Sequence, residues 1–438
     1  MLKYKKKKVH FIGVGGSGTS AVCGIAASNG FEVTGCDMSH ESEYLGNLLK
    51  KFPKIPIFYS HSQSHLENVD ILAISPAILK FDPQNLELVT AREKRIPILT
   101  WQEFMSKFLQ RGKFVISVAG THGKSTVAAM IGHLLEDAGL DPTVEIGALD
   151  ISWRSNFRNG KGKYFVCEAD EYNDNFLNYS PNTLVITNIE LDHPDYFRNM
   201  SDLNNSFQKF VLQMEKPKNL FLGRGNDLTL FGKNLKKIDK SLEIYNYKNI
   251  FGLKIKILGA HNSLNANLVA AVGRSLGIKE KIIRNSIFNF RGISRRLEFK
   301  GQIGGVKIFD DFAHHPTEVR ASLSALKRLF PDKKIWVIFE PHTFSRTKKF
   351  LKDFALVFRK YVEKVIVVDI FPAREKNTRM VSSQDLVLQI GSKGIYIGNL
   401  KEAVDFVSKN LPEHQVIVFM GAGKIYQAYG FLKKVIKK

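Results

Sequence analysis

"SVAGTHGKSTVAAMI", residues 117–131, has the makings of a phosphate-binding loop in an unusual spelling. The common pattern G-x-x-x-x-G-K-[ST] begins with a glycine five positions before the Gly of Gly-Lys, and Val118 stands there instead. The surroundings are those a phosphate loop needs. "KFVISVAG" before it is rich in Val and Ile and reads as a buried strand, and "STVAAMIGHLLEDAG" after it reads as a helix stopped by Gly139. Backbone N–H groups at a helix N-terminus favour anions, a lysine neutralises the outer phosphates, and a hydroxyl can ligate Mg²⁺. Gly120, Gly123, Lys124 and Ser125 can supply these parts without the first glycine.

Downstream, "YFVCEADEY" (164–172) and "TLVITNIELDHPDYF" (183–197) are apolar runs that end in acids or a histidine. Ligands of parallel α/β sheets sit beyond the carboxyl ends of the strands, so Glu168, Glu171, Asp192 and His193 are expected to converge on the phosphate loop. Upstream, "KVHFIGVGGSGTSAVCGIAASNGFEVTGCDMS" reads as strand, glycine-rich turn, helix and strand. Gly13, Gly15 and Gly18 match G-x-G-x-x-G, and Asp37 ends the next strand, where a carboxylate can meet a ribose hydroxyl. Further strands at 69–78 and 96–100 let this unit close near residue 102. A third α/β block follows "ISRRLEFKG" (293–301), with strands in "VKIFDD", "KIWVIFEPH", "KVIVVDIFP" and "QVIVFMGAG". The expected fold is α/β in three domains, 1–102, 103–296 and 297–438, the outer two Rossmann-like and the central one of the P-loop ATPase kind.

Composition agrees with a multidomain globular protein. The 438 residues are 44% hydrophobic and 24% charged. The net charge of +22 points to an anionic partner, yet the lysines are scattered; "KYKKKK" (3–8) and "KNLKKIDK" (233–240) read as solvated faces without interleaved aromatics. No zinc-finger, RNP or helix-turn-helix spelling supports a nucleic-acid partner. Cys23, Cys36 and Cys167 have no metal-ligand spacing and imply no disulfide framework. No apolar run reaches the roughly eighteen residues of a membrane span, and the glycines in "VHFIGVGG" argue against a signal peptide; a cytoplasmic enzyme without membrane insertion is expected.

Taken in order, "HFIGVGGSGTS", "SPAI", "GTHGKST", "EADE", "TNIELDH", "HNSLNA", "SRRLEFKG", "DDFAHHPTE", "PHTFSRT" and "DIFPAREK" resemble the Mur ligases, ATP-dependent enzymes that build the peptidoglycan peptide. That family writes its phosphate loop G-T-x-G-K-[TS], which accommodates Val118. The resemblance implies ATP and Mg²⁺, with UDP-N-acetylmuramate and L-alanine as substrates joined through an acyl phosphate. It implies that Gly120, Thr121, His122, Gly123, Lys124, Ser125 and Thr126 cradle ATP, and that His261, Asn262 and Asn265 hold its adenine. Arg296 and Asp310 would complete the nucleotide site, and Ser125, Glu168 and His193 would hold Mg²⁺. Gly13, Gly15, Gly16, Ser17 and Gly18, with Asp37 and Ser75, would take the UDP substrate. His315 would line the same cleft, or else cap the helix that begins at Pro316. His342 and Arg346 fall where the family receives the amino acid; an arginine fork suits a carboxylate there, the other reading being a surface helix residue.

Some features depart from the family pattern. The stretch between "FQKF" (207–210) and "GAHN" (259–262) is short, Thr19 replaces a common methionine, and Lys424 stands where an acid is usual. "EADEY" and "DDFAHH" lean toward a murein-tripeptide recycling branch, whereas "PHTFSRT" matches the alanine-adding one. Two rivals are kept: an NAD-dependent oxidoreductase, resting on the first glycine loop and Asp37, and a nucleic-acid binder, resting on charge. Oligomeric state is not legible.

Overall fold

The computed structural model describes residues 7–40, 42–246, 252–373, 375–376, 380–410 and 415–436. Most of "KYKKKK" and Arg374 of "DIFPAREK" lie outside the described residues. The described chain forms three mainly parallel sheets, as the alternation of apolar strands and helices predicts. The first contains β1 (Lys8–Ile12), β2 (Glu32–Cys36), β3 (Ile57–Phe58), β4 (Ile71–Ile74) and β5 (Ile98–Thr100) in the order β3-β2-β1-β4-β5. All its pairings are parallel, and the order reverses between β1 and β4, the switch point at which such sheets bind ligands.

The second sheet contains β6 (Phe114–Ala119), β7 (Thr143–Asp150), β8 (Ser155–Arg158), β9 (Tyr164–Glu168), β10 (Thr183–Ile186), β11 (Asn219–Leu222) and β12 (Glu243–Asn246), in the order β12-β11-β10-β6-β9-β7-β8. The third contains β13 (Glu298–Ile303), β14 (Val306–Asp311), β15 (Ile335–Phe339), β16 (Lys364–Val367), β17 (Gly394–Tyr396) and β18 (Val416–Met420), in the order β13-β14-β18-β15-β16-β17. Both are closed at one edge by an antiparallel strand, β8 on β7 and β13 on β14. "RRLEFKG" thus contributes an edge strand of the third sheet.

The chain divides into two compact units. One comprises residues 1–190, 200–256 and 264–293; the other comprises 191–199, 257–263 and 294–438. The first two sheets share the first unit, so the chain near residue 102 passes between two sheets packed together. The helix Ser17–Ser28 is the reason. It is built of small residues, and nearly all of them are buried because it packs against β7 and β8 as well as its own sheet. A Cβ on Gly24 would lie 2.2 Å from the Phe157 ring, and the Asn156 amide donates to the Ser17 carbonyl at 2.5 Å. In the second unit the strands bury both faces, which explains their unbroken apolar runs. Val337, Phe339, Val365 and Val418 pack on one side of the sheet, and Trp336, Ile338, Ile366 and Phe419 on the other.

Candidate functional site

Val118 sits fully buried inside β6, paired with Glu168 of β9 and Val185 of β10. The position where the common pattern has glycine is therefore strand here, and the loop proper is Gly120–Gly123. Both of those glycines are structurally required. Gly120 has φ +125°, and a Cβ on it would lie 2.2 Å from Thr187 Oγ1. Gly123 has φ +84°, is the N-cap of the helix Lys124–Asp137, and lies against Asn265, one of the expected adenine contacts. Loop shape is set by "TNIE", a role the motif reading did not assign. Asn188 O accepts from the Thr121 amide at 3.1 Å, Asn188 Oδ1 accepts from the His122 amide at 2.9 Å, and the Thr187 hydroxyl donates to His122 O at 2.6 Å. The Thr121 hydroxyl donates to Glu190 O at 2.8 Å, and His122 Nε2 lies 3.2 Å from Glu190 Oε2.

Two carboxylates meet the two chemical side chains of the loop. Lys124 Nζ donates to Glu171 Oε2 at 2.8 Å and to Gly120 O at 2.7 Å. Burial alone would lower the Lys124 pKa, but the charges of Glu171, Asp170 and Glu168 outweigh it and hold the ammonium above its ordinary range. The Ser125 hydroxyl donates to Glu168 Oε2 at 2.7 Å, and the Gly147 amide donates to the same oxygen at 2.7 Å. Thr126 is buried one position further along the helix. Behind them, burial first and then the Glu168 charge push the Glu145 carboxyl well above the carboxylate range.

The first glycine loop works by close approach without a cation. A Cβ on Gly13, at φ +79°, would come 2.9 Å from Ser75 Cβ; on Gly15, 2.7 Å from Asp37 Oδ2; on Gly18, 2.4 Å from the Trp101 ring. Asp37 accepts from the Gly15 amide at 2.8 Å and from the Ser39 amide at 2.8 Å, so its carboxylate is tied to the loop itself. Gly16 is the N-cap of the helix that Ser17 opens, and among the described residues no side-chain cap hydrogen bond is made there.

In the other unit, Arg346 is 2% exposed, which removes the surface reading. Its Nε and Nη2 both lie 2.9 Å from Asp192 Oδ1, and Nη1 lies 3.0 Å from His342 Nδ1. The fork expected to face an amino-acid carboxylate is thus largely taken up by Asp192. An arginine N–H can only donate, so Nδ1 of His342 accepts and its proton sits on Nε2. Burial raises the Asp192 pKa, but Arg346, His193, His314 and His315 overcome it and hold the carboxyl well below its usual range. His193 has φ +53° and its amide donates to Asp192 Oδ1 at 2.7 Å. His315 caps the helix Pro316–Leu329, its Nδ1 accepting from the Thr317 amide at 3.3 Å. Arg296 Nη1 lies 3.2 Å from Glu318 Oε1. Asp310 is buried, with Arg295 Nε 3.5 Å away. Its neighbour Asp311 is lifted to about 6 by burial, against hydrogen bonds from Ser322 and Ala313. His261 and Asn262 lie in the first turn of the helix Ala260–Ser275 and Asn265 in its second.

A glycine loop with paired Lys–Glu and Ser–Glu contacts, at the end of a strand in one of three mainly parallel sheets, has the parts of a phosphoryl-handling α/β enzyme. Three family models match in succession: the Mur ligase family catalytic domain at residues 8–113, the Mur ligase middle domain at 118–273, and the Mur ligase glutamate ligase domain at 295–423. The UDP-N-acetylmuramate–L-alanine ligase of Caldanaerobacter subterraneus subsp. tengcongensis is 36% identical, with 97% of this chain and 96% of that one covered. The crystal structure of the UDP-N-acetylmuramate-alanine ligase of Thermotoga maritima superposes with a TM-score of 0.81 at 28% identity, covering 98% of this chain and 99% of that one. A murein peptide ligase from Psychrobacter arcticus shares the fold, with a TM-score of 0.74 at 20% identity over 98% of both chains. The chain belongs to the Mur ligase family. That membership leaves no support for the oxidoreductase reading, which had the glycine loop and Asp37 alone.

Proposed function

We propose that this protein is an ATP-dependent ligase that joins L-alanine to the carboxylate of UDP-N-acetylmuramate, with ADP and phosphate as the other products, in cytoplasmic peptidoglycan precursor synthesis. The observation that carries the reading is the second glycine loop, where Lys124 rests on Glu171 and Ser125 on Glu168. In the first step a muramyl carboxylate oxygen takes the γ-phosphoryl group of ATP, and ADP leaves. The alanine amine then attacks the acyl carbon, loses a proton, and phosphate departs. Lys124 neutralises charge on the transferring oxygens, and backbone amides of Gly120–Gly123 position the phosphates. The Ser125 hydroxyl and the Glu168 carboxylate are hard oxygen donors of the kind Mg²⁺ takes, and Mg²⁺ supplies charge neutralisation when bound. His193 is proposed as a further Mg²⁺-holding residue.

Gly13–Gly18, Asp37 and Ser75 bind the UDP substrate, whereas His261, Asn262, Asn265, Arg296 and Asp310 hold the nucleotide. Arg346 serves the amino-acid pocket chiefly by fixing His342 and Asp192, with His342 turned to the alanine carboxylate. His315 orients the neighbouring wall. The domain division at 102 and 296 belongs to this proposal. Alanine is preferred over a murein tripeptide on "PHTFSRT" and on the names of relatives above 30% identity. Phosphate release from ATP with UDP-N-acetylmuramate, scanned over amino acids and the tripeptide, tests it. Release is expected with L-alanine; release with the tripeptide alone moves the protein to the recycling branch.

A further inference from the structure

Five side chains with metal-binding or titratable groups meet within the first sheet's domain, behind the strand end whose Cys36 carbonyl accepts from the amides of Gly13 and Val14. Glu87, wholly buried at the start of the helix Leu86–Glu93, is the centre. Its Oε2 lies 3.1 Å from Cys36 Sγ and 3.0 Å from His61 Nδ1, and those two lie 3.5 Å from each other. Its Oε1 is bonded to His65 Nδ1 at 2.5 Å. His10, fully buried in β1, is fixed through Nδ1 to Thr34 Oγ1 at 2.8 Å. Its Nε2 points into the cluster, 3.6 Å from Glu87 Oε1, without a hydrogen-bond partner among the described residues. The ligand atoms of His10, Cys36 and Glu87 all lie within 4.8 Å of one another. A buried imidazole nitrogen aimed at a carboxylate and a thiol, and left unbonded, is an arrangement that a bound cation completes.

We infer that Cys36, His61, Glu87 and His10 form a site for one divalent transition metal of the zinc class, distinct from the phosphate loop at Gly120–Gly123. The donor set selects the metal. A thiolate and imidazoles favour Zn²⁺ or Co²⁺ over Mg²⁺, which prefers oxygen. Dimensions agree. Metal–nitrogen bonds of about 2.0 Å and metal–sulfur bonds of about 2.3 Å place tetrahedral neighbours roughly 3.4–3.6 Å apart. The Cys36–His61 edge already has that length, and the two edges to Glu87, now held by hydrogen bonds, need to open by only a few tenths of an ångström. His65, on the other carboxylate oxygen, orients Glu87 as an outer partner of a ligand does. The Cys36 thiol proton is displaced when the sulfur binds metal, so one proton is released per ion. The metal ties the end of β2, immediately before Asp37, to the helix bearing Glu87. The site is independent of the ligase reading, and its failure leaves that reading untouched.

The experiment uses the full chain, stripped with a chelator and titrated with Co²⁺ in excess Mg²⁺, which saturates hard oxygen sites. One equivalent is expected to bind with a thiolate-to-cobalt charge-transfer band, to be displaced by Zn²⁺, and to release one proton. Cys36→Ser abolishes the band. His61→Ala, at a partly exposed position, keeps the far-ultraviolet circular dichroism of the parent and weakens Co²⁺ binding at least tenfold. Absence of the band in the parent chain overturns the site, as does its persistence in Cys36→Ser. If Cys36→Ser does not fold, His61→Ala decides, and unchanged Co²⁺ affinity there overturns it.

Discussion

The two glycine-rich loops of the first unit share a backbone device and differ in charge. Each follows a parallel strand, turns through glycines that neighbouring side chains leave no room to replace, and opens a helix. At Gly13–Gly18 the carboxylate of Asp37 holds the Gly15 amide. At Gly120–Gly123 the loop leads into a lysine and a serine, each against a carboxylate. Amides at a helix start suffice to bind a diphosphate. Moving a phosphoryl group requires charge placed where charge develops. On the proposed function, binding belongs to the first loop and chemistry to the second.

The largest effect expected on this division is that of Lys124→Ala. It should lower kcat about 10²–10³-fold, or roughly 3–4 kcal/mol, as removal of one preorganised donor does. Near-normal turnover would erase the distinction between the loops. Next, Glu168→Gln should weaken apparent Mg²⁺ affinity on the order of 10–100-fold, measured as the Mg²⁺ dependence of acyl-phosphate formation, with the fold intact; His193→Ala should act in the same direction. Activity unchanged at limiting Mg²⁺ removes these residues from the metal site.

Gly15→Val sharpens the comparison from the other side. Its side chain would meet Asp37 Oδ2, so affinity for the UDP substrate should fall at least tenfold, about 1.4 kcal/mol, while ATP binding holds. Equal losses for both ligands, measured by calorimetry on folded protein, contradict the division. The smallest effect on turnover lies outside both loops. Arg346→Lys keeps a positive charge but loses the planar contact with Asp192 and His342, so KM for L-alanine should rise about tenfold, about 1.4 kcal/mol, with those for ATP and the UDP substrate nearly unchanged. An unaltered alanine dependence would place the amino-acid site elsewhere.

The two loops also differ in how far they could be read from sequence. Glycine spacing, the Lys-Ser pair and the apolar strands announced both turns, because backbone geometry and period-two burial are local demands. Val118 looked anomalous only because register is not local: pairing with Glu168 and Val185 places it inside β6. "TNIE" carried no signal of its buttressing role, since Thr187 and Asn188 serve the loop from a strand end nearly seventy residues on. The antiparallel edges β8 and β13 escaped because a short edge strand of mixed polar and apolar residues has too little apolar pattern to stand out.

Order of motifs, strand and helix types, the three-sheet α/β architecture and the glycine turns at 13–18 and 120–123 follow from the sequence by itself, since each rests on residues close together along the chain. Partner choice follows only from the tertiary structure. Arg346 reads in sequence as either a surface residue or an open clamp, but the fold turns it inward onto Asp192, 154 positions away. Cys36 shows no metal-ligand spacing because His10, His61 and Glu87 are scattered over three other elements and loops. Burial makes such pairings obligatory, since a buried charge or polar group must find a partner, and folding alone determines which distant residue supplies it.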